Sequence, residues 1–201
     1  NSADLAGIVW AEELSLLKLD RRFDDLLITT ADLVKPQGCR IPPWPFNSQF
    51  LVEDFFMSAA VLGRAFKVTK SERYIDLLSE FLLGSGIQRE NGLFPHSRKG
   101  PYHWGRGNGF AALGMAEALT YMPPNYQARE TVLGMCNKQM EALKFLQEPS
   151  GMYLQLIDFP GSYQEFTSTC MVGYSMARGI RLGWLDDSYR MVLDLSLIHI
   201  S

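Results

Sequence analysis

The sequence predicts an all-α chain built of helical hairpins, and three observations carry that prediction. Apolar residues recur at helical spacing instead of alternating. The segment Arg22-Phe23-Asp24-Asp25-Leu26-Leu27 returns 51 residues later as Arg73-Tyr74-Ile75-Asp76-Leu77-Leu78, the self-similarity of a repeat. A glycine also follows a helical stretch and a polar break three times, at Gly38, Gly92 and Gly151, with spacings of 54 and 59 residues. Each suits the position past a helix end that needs positive φ. One buried helix paired with one amphipathic helix, roughly 55 residues per pair, describes an α/α solenoid or a closed α/α toroid. Six such hairpins need roughly 330 residues. The 201 residues present therefore read as a fragment, an incomplete toroid of roughly four hairpins.

The elements follow in chain order. Phe55, Phe56, Ala59, Ala60, Leu62, Gly63 and Phe66 cover a broad face, as a helix buried on most sides does. Tyr74, Leu77, Leu78, Phe81 and Leu82 make a narrower stripe, the mark of an outer amphipathic helix. After Gly92 comes a short extended piece, Leu93-Phe94-Pro95. Ala111, Leu113, Gly114, Ala116 and Leu119 then repeat the broad face with small residues that permit close packing. Leu133, Cys136, Met140, Leu143 and Leu146 repeat the stripe. Met152-Tyr153-Leu154 is again extended. Residues 195–201 break the preceding helical pattern and read as a non-native tail, leaving residues 1–194 as a partial toroid domain. The first six residues hold no initiator Met and no basic leader, as in a chain entered partway through.

Composition excludes several classes. Hydrophobic residues make up 47% and charged residues 20%, which is the balance of a folded chain. Nineteen Lys and Arg against 22 Asp and Glu give a net charge of -3, so no nucleic-acid partner is expected. No apolar run approaches the roughly 20 residues that cross a bilayer, so no membrane partner is expected either. The three cysteines, Cys39, Cys136 and Cys170, are odd in number and widely spaced. They predict neither a disulfide framework nor a thiolate zinc site, and Cys136 and Cys170 read as buried small hydrophobes.

Two stretches carry unusual chemistry. Gly105-Arg106-Gly107-Asn108-Gly109 precedes a buried helix without the strand that a dinucleotide fingerprint requires. It reads either as backbone brought close to a ligand, with Trp104 offering a ring face and Arg106 a planar fork, or as a tight turn with Arg106 solvated. Glu53-Asp54 lies within the apolar stretch Phe50 to Phe66. A carboxyl buried there is costly unless paired or protonated, which suits a general acid; an exposed helix edge is the alternative. Residues adjacent on a helix diverge by 100°, so only one of the two can face a given ligand. Asp158 and Glu165 flank a turn and read as helix caps. His96 and His103 lack a nearby acid in sequence to complete a ligand set, so no metal is expected.

These residues resemble the unsaturated glucuronyl and rhamnogalacturonyl hydrolases, glycoside hydrolase families 88 and 105. Trp104-Gly105-Arg106-Gly107-Asn108-Gly109-Phe110 is similar to the family's W-G/A-R-G-x-G/A-W. Gly92-Leu93-Phe94-Pro95-His96 resembles G-L-[FY]-x-H, and Glu53-Asp54-Phe55-Phe56-Met57 resembles the end of W-x-D-x-x-[FY]-M. Asp158-Phe159-Pro160 and Glu165 to Ser168 resemble D-x-P followed by E-x-S. The resemblance implies an (α/α)6 toroid that removes an unsaturated uronic acid from the non-reducing end of lyase-generated oligosaccharides. It implies no cofactor: a carboxylic acid protonates C4 of the C4=C5 vinyl ether, water attacks C5, and the hemiketal collapses.

Carried over residue by residue, Glu53 stands where the family has its acid Asp, with Asp54 beside it as the other candidate. Leu51 replaces a Trp and Phe110 another. Asp4 is the placement for the family's second active-site Asp. The resemblance implies that His96 contacts the sugar, Trp104 stacks on it, and Arg106, Phe110 and Met57 help form the site. Two rival readings remain open at this stage. One is another α/α-toroid sugar enzyme, a 2-epimerase or a saturated-glycoside hydrolase. The other is a non-catalytic carbohydrate-binding solenoid that stacks sugar on Trp104 and Tyr102. Leaving sugar, compartment and oligomeric state are not legible in the sequence.

Overall fold

The computed structural model describes residues 2–38 and 41–199, so Cys39 lies outside the described residues. A 3-10 segment, Ser2–Ile8, leads into four hairpins: α1 (Ala11–Lys18) with α2 (Arg22–Ala31), α3 (Glu53–Thr69) with α4 (Glu72–Gly84), α5 (Gly105–Tyr121) with α6 (Arg129–Leu146), and α7 (Phe166–Arg181) with α8 (Arg190–Leu197). Between α6 and α7 a small antiparallel sheet pairs β1 (Tyr153–Leu154) with β2 (Gln164–Glu165), Tyr153 opposite Glu165.

The broad-faced helices form one layer. α3 packs on α5 and α5 on α7, and their contacts advance together along the chain. Gly107 lies against Val52, Gly114 against Phe55 and Gly63 against Tyr121, while Gly105 meets Glu165 and Gly109 meets Met171. The three helices are therefore parallel, and their N-termini open at one end. The amphipathic α4, α6 and α8 cover the other side; α4 buries Tyr74, Leu78, Phe81 and Leu82 of its predicted stripe and α6 buries Cys136, Met140 and Leu143, while Leu77, Leu133 and Leu146 are half-buried. Rings fill the core between layers, with Phe81 stacked on Phe46 and Phe50 at 5.1 and 5.6 Å and edge-on to Phe55.

Small residues set the spacing of the inner layer. A Cβ at Gly114 would stand 2.6 Å from the Phe55 carbonyl carbon. Gly114→Ala is expected to cost about 2 kcal/mol through overpacking, read as a lower urea midpoint. Gly134→Ala on α6, where nothing lies within 4 Å, is the control and should hold or raise the midpoint.

Three details differ from the sequence reading. Gly92 and Gly151 have φ of 87° and 89°, but each closes a turn beyond its helix, Gly92 N–H to Arg89 O and Gly151 N–H to Glu148 O. They are turn residues, not helix caps. α8 continues through Leu195 to Leu197, past the break expected at residue 195. A buried partner explains this, because Gln147 Nε2 donates to Ser196 Oγ at 2.9 Å and to Val192 O at 2.8 Å. Cys170 is half-buried instead of buried, since it sits on the side of α7 that lines an open hollow. Cys136 is buried, and burial pushes its thiol up to about 12.

Large apolar side chains stay exposed at the first hairpin, on Leu16, Leu17 and Leu19, and at the last, on Met191 and Ile198. These are the two flanks of the layer, where no further hairpin among the described residues packs.

Candidate active site

The shared N-terminal end of α3, α5 and α7 gathers most of the candidate residues. Glu53 is the first residue of α3, and Trp104 and Arg106 straddle the start of α5. Gly107 packs on Val52, so the residue before Glu53 touches the residue after Arg106. Asp4 is exposed, on the 3-10 segment that packs on α2 and α3. Met57 and Phe110 are half-buried one turn further in; Phe110 meets Phe56 with centroids 6.2 Å apart.

The two adjacent acids separate sharply. Helix α3 begins at Glu53, three residues after the start of the apolar stretch at Phe50, so both acids lie in its first turn. Asp54 is fully buried, and its Oδ2 accepts the Asn47 N–H at 3.0 Å. It braces the loop that leads into α3. Glu53 keeps 22% of its side chain exposed and presents Oε1 to His96 Nδ1 at 3.3 Å. Its Oε2 is buried with no hydrogen-bond partner.

Backbone ties hold this geometry. Val52 N–H donates to His96 O at 3.1 Å, and His96 N–H to Tyr102 O at 3.3 Å. Two residues upstream, the buried Asn108 side chain clamps Phe94, accepting its N–H at 2.9 Å and donating to its carbonyl at 3.0 Å. The same amide donates to Trp104 O at 3.0 Å, and Gln139 of α6 donates to Asn108 O at 2.9 Å. One asparagine thus registers the His96 segment against the start of α5. On the other side Gly105 N–H donates to Gln155 O at 2.7 Å and Ile157 N–H to His103 O at 2.9 Å.

The glycines of the arginine motif serve packing. A Cβ at Gly105 would meet Leu154 O, and one at Gly109 would meet Met171 Sδ. They bring neighbouring protein close, where one of the two sequence readings had a ligand. Arg106 is exposed, and among the described residues it has no hydrogen-bond or ion-pair partner. Trp104 is half-buried beside it.

Sequence reasoning missed two arrangements. His103 Nδ1 lies 2.7 Å from Asp158 Oδ2, a pair separated by 55 residues that no local spacing could reveal. Asp158 is thus the hydrogen-bond partner of His103, not a cap. Glu165 occupies the N-cap position of α7 but makes no side-chain cap bond, and its buried Oε2 has no partner. Among the described residues no group of three or more His, Cys, Asp or Glu could hold a metal ion. Below the site an apolar hollow of about 270 Å³ is walled by Val9, Trp10, Phe56, Leu113, Met171 and Tyr174. A larger groove of about 750 Å³ runs along the outer helix α4 and contains none of the candidate residues.

Parallel inner helices backed by amphipathic partners, with acid, indole and guanidinium at their shared N-terminal end, define an α/α-toroid protein. Solved structures share that fold. A family 105 glycoside hydrolase of C. acetobutylicum ATCC 824 superposes with a TM-score of 0.85 at 18% identity, covering 98% of this chain and 62% of that one. A possible GH105 member from Salmonella enterica serovar Paratyphi A gives 0.82 at 21% identity, over 96% of this chain and 57% of that one. Residues 20–199 match Glycosyl Hydrolase Family 88, and the chain belongs to that family. Among curated proteins, the unsaturated rhamnogalacturonyl hydrolase YesR of Bacillus subtilis (strain 168) is 31% identical over 94 residues, 46% of this chain and 27% of that protein. The chain thus spans 27% of YesR and 57% and 62% of the two solved structures, less than two thirds of each.

Proposed function

We propose that the protein is a glycoside hydrolase that removes a 4,5-unsaturated uronic acid from the non-reducing end of lyase-generated oligosaccharides. Family membership and the likeness to YesR support the class. The carrying observation is Glu53, a carboxyl with one buried, unpartnered oxygen at the end of the inner layer that also presents Trp104 and Arg106.

In this reading Glu53 in its acid form protonates C4 of the vinyl ether. Water adds at C5 and its proton returns to the Glu53 carboxylate, so the residue ends as it began. The C5 hemiketal then opens and releases the aglycone. Trp104 supplies a ring face to the sugar, and the unpaired Arg106 guanidinium suits the uronate carboxylate. Two carboxylates in displacement at the anomeric carbon are not needed, which agrees with Asp54 being committed to the Asn47 backbone.

The whole gene product should be assayed on unsaturated disaccharides, following loss of the vinyl ether absorbance and the product mass. Loss of absorbance with gain of one water is the expected result. A folded protein that leaves the absorbance unchanged would overturn the reading. So would a product of unchanged mass, which is the outcome for an epimerase.

A further inference from the structure

We propose that the His103–Asp158 pair and the cleft beside it form the subsite for the leaving sugar, and that this sugar is neutral. The inference deepens the function proposed above and rests on it. The pair is a side-chain hydrogen bond, with His103 Nδ1 2.7 Å from Asp158 Oδ2, so the imidazole itself is held. The backbone around it is held as well. Trp104 pairs with Leu156 across an antiparallel bridge, Phe159 N–H donates to Leu156 O at 3.1 Å, and Leu156 N–H donates to Ser162 Oγ at 2.9 Å. Trp104 has extended backbone, with φ -68° and ψ 134°. Successive side chains of an extended segment turn to opposite sides, so His103 and Trp104 address different rings of one substrate.

A carboxylate only accepts hydrogen bonds. Nδ1 therefore carries the hydrogen, and Nε2 of the neutral ring carries the lone pair. Nε2 has no hydrogen-bond partner among the described residues, and it is not sealed from solvent. Past Asp158 a cleft of about 130 Å³ lies between the turn and the end of α6. That end belongs to the site's side of the layer, because α6 runs back along α5: Arg129 Nη1 donates to Leu119 O at 2.6 Å and Gln139 Nε2 to Asn108 O at 2.9 Å. The cleft walls carry two exposed rings, Phe145 and Phe159, and two carboxylates, Asp158 and Glu148. Rings take the apolar face of a sugar, and Nε2 with the two carboxylates accepts its hydroxyls. A second uronate would meet two like charges there, which is selection by repulsion.

The test uses the whole gene product and three substrates that share one unsaturated uronate. They carry a methyl group, a neutral sugar or a uronate on the leaving side. Wild type should show a KM about 10-fold lower for the neutral disaccharide than for the methyl glycoside, the usual worth of one good hydrogen bond. His103→Asn keeps an N–H toward Asp158 and removes Nε2. It should raise KM about 10-fold for the neutral disaccharide and less than about 2-fold for the methyl glycoside. Asp158→Asn, a change at an exposed carboxylate, should narrow the gap between acidic and neutral disaccharides. It also supplies the readout if His103→Asn fails to fold. Equal losses on the methyl glycoside and the neutral disaccharide would overturn the inference, since they assign the pair to holding the backbone at Trp104. An active wild type with no preference for the neutral disaccharide would overturn it too, with the functional reading intact. A wild type inactive on all three would remove that reading itself, and this inference with it.

Discussion

Glu53→Gln is expected to abolish hydrolysis of unsaturated disaccharides, with kcat falling about 10³-fold or more and the unfolding midpoint nearly unchanged. The size follows from the usual contribution of a positioned acid–base group, 10² to 10⁴, because the amide keeps shape but cannot lose and regain a proton. Stability should hold, since Glu53 makes one contact at 3.3 Å, is 22% exposed, and leaves Oε2 unbonded. Asp54→Asn supplies the opposite profile. Its carboxylate is fully buried and accepts the Asn47 N–H at 3.0 Å, so its loss should lower stability by about 1–3 kcal/mol. Its kcat, measured well below the new melting temperature, should change far less than that of Glu53→Gln. The crossed pattern is the diagnostic, read by steady-state kinetics and urea unfolding on the same preparations. If Asp54→Asn were the dead and stable variant, the acid would have been assigned one residue too early.

That division was only half legible in the sequence. Residues one apart on a helix must diverge, so the pattern Glu53-Asp54 stated that one acid turns away. Which one does so is decided by the Asn47 N–H, and the loop that carries it, residues 42–50, has no periodicity to place it. The inner helices were readable because their faces are broad and their glycines sit where neighbours touch, as Gly114 on Phe55 shows. The hairpin count was readable from the repeat period, since 201 residues at roughly 55 per hairpin make about four. Long-range polar pairs were not. His103 with Asp158 and Asn108 with Phe94 join residues 55 and 14 positions apart, and nothing in local spacing encodes a contact that the packing of hairpins creates. The end of α8 failed for a related reason: residues 195–197 look irregular alone, and Gln147 makes Ser196 a buried helical position.

The largest loss of stability is expected from Glu117→Gln, far from the site along the inner layer. Glu117 on α5 is nearly buried and receives Arg64 of α3 at 2.7 Å and Arg178 of α7 at 3.0 Å. Arg64 also meets Glu13 of α1 at 2.7 Å, and stacks over the Trp10 and Tyr121 rings. Four helices therefore converge on two carboxylates and two guanidinium groups. Such a cluster adds little over a well-packed apolar core, because desolvation offsets most of the attraction. Removing one member is different. Without the Glu117 charge two guanidinium groups face each other in a dry setting, and about 3–5 kcal/mol should be lost. Glu13→Gln should cost no more than about 1 kcal/mol, since that carboxylate is 37% exposed and water can serve Arg64 in its place. The acid limb follows from Glu13 as well. Burial pushes its carboxyl up, but the Arg64 hydrogen bond and the Arg64 and Lys67 charges outweigh this, so it lies below its ordinary 4.5. A carboxyl lowered on folding contributes above its unfolded value, and that contribution drains as pH falls through the folded value. Burial likewise pulls Arg64 down while Glu13 and Glu117 raise it further, so the guanidinium stays charged throughout. Thermal unfolding of wild type should therefore lose midpoint below about pH 4.5, and Glu13→Gln should lose less over the same range. Equal acid slopes in both proteins would show that the α1–α3 ion pair adds nothing to holding the first hairpin on the inner layer.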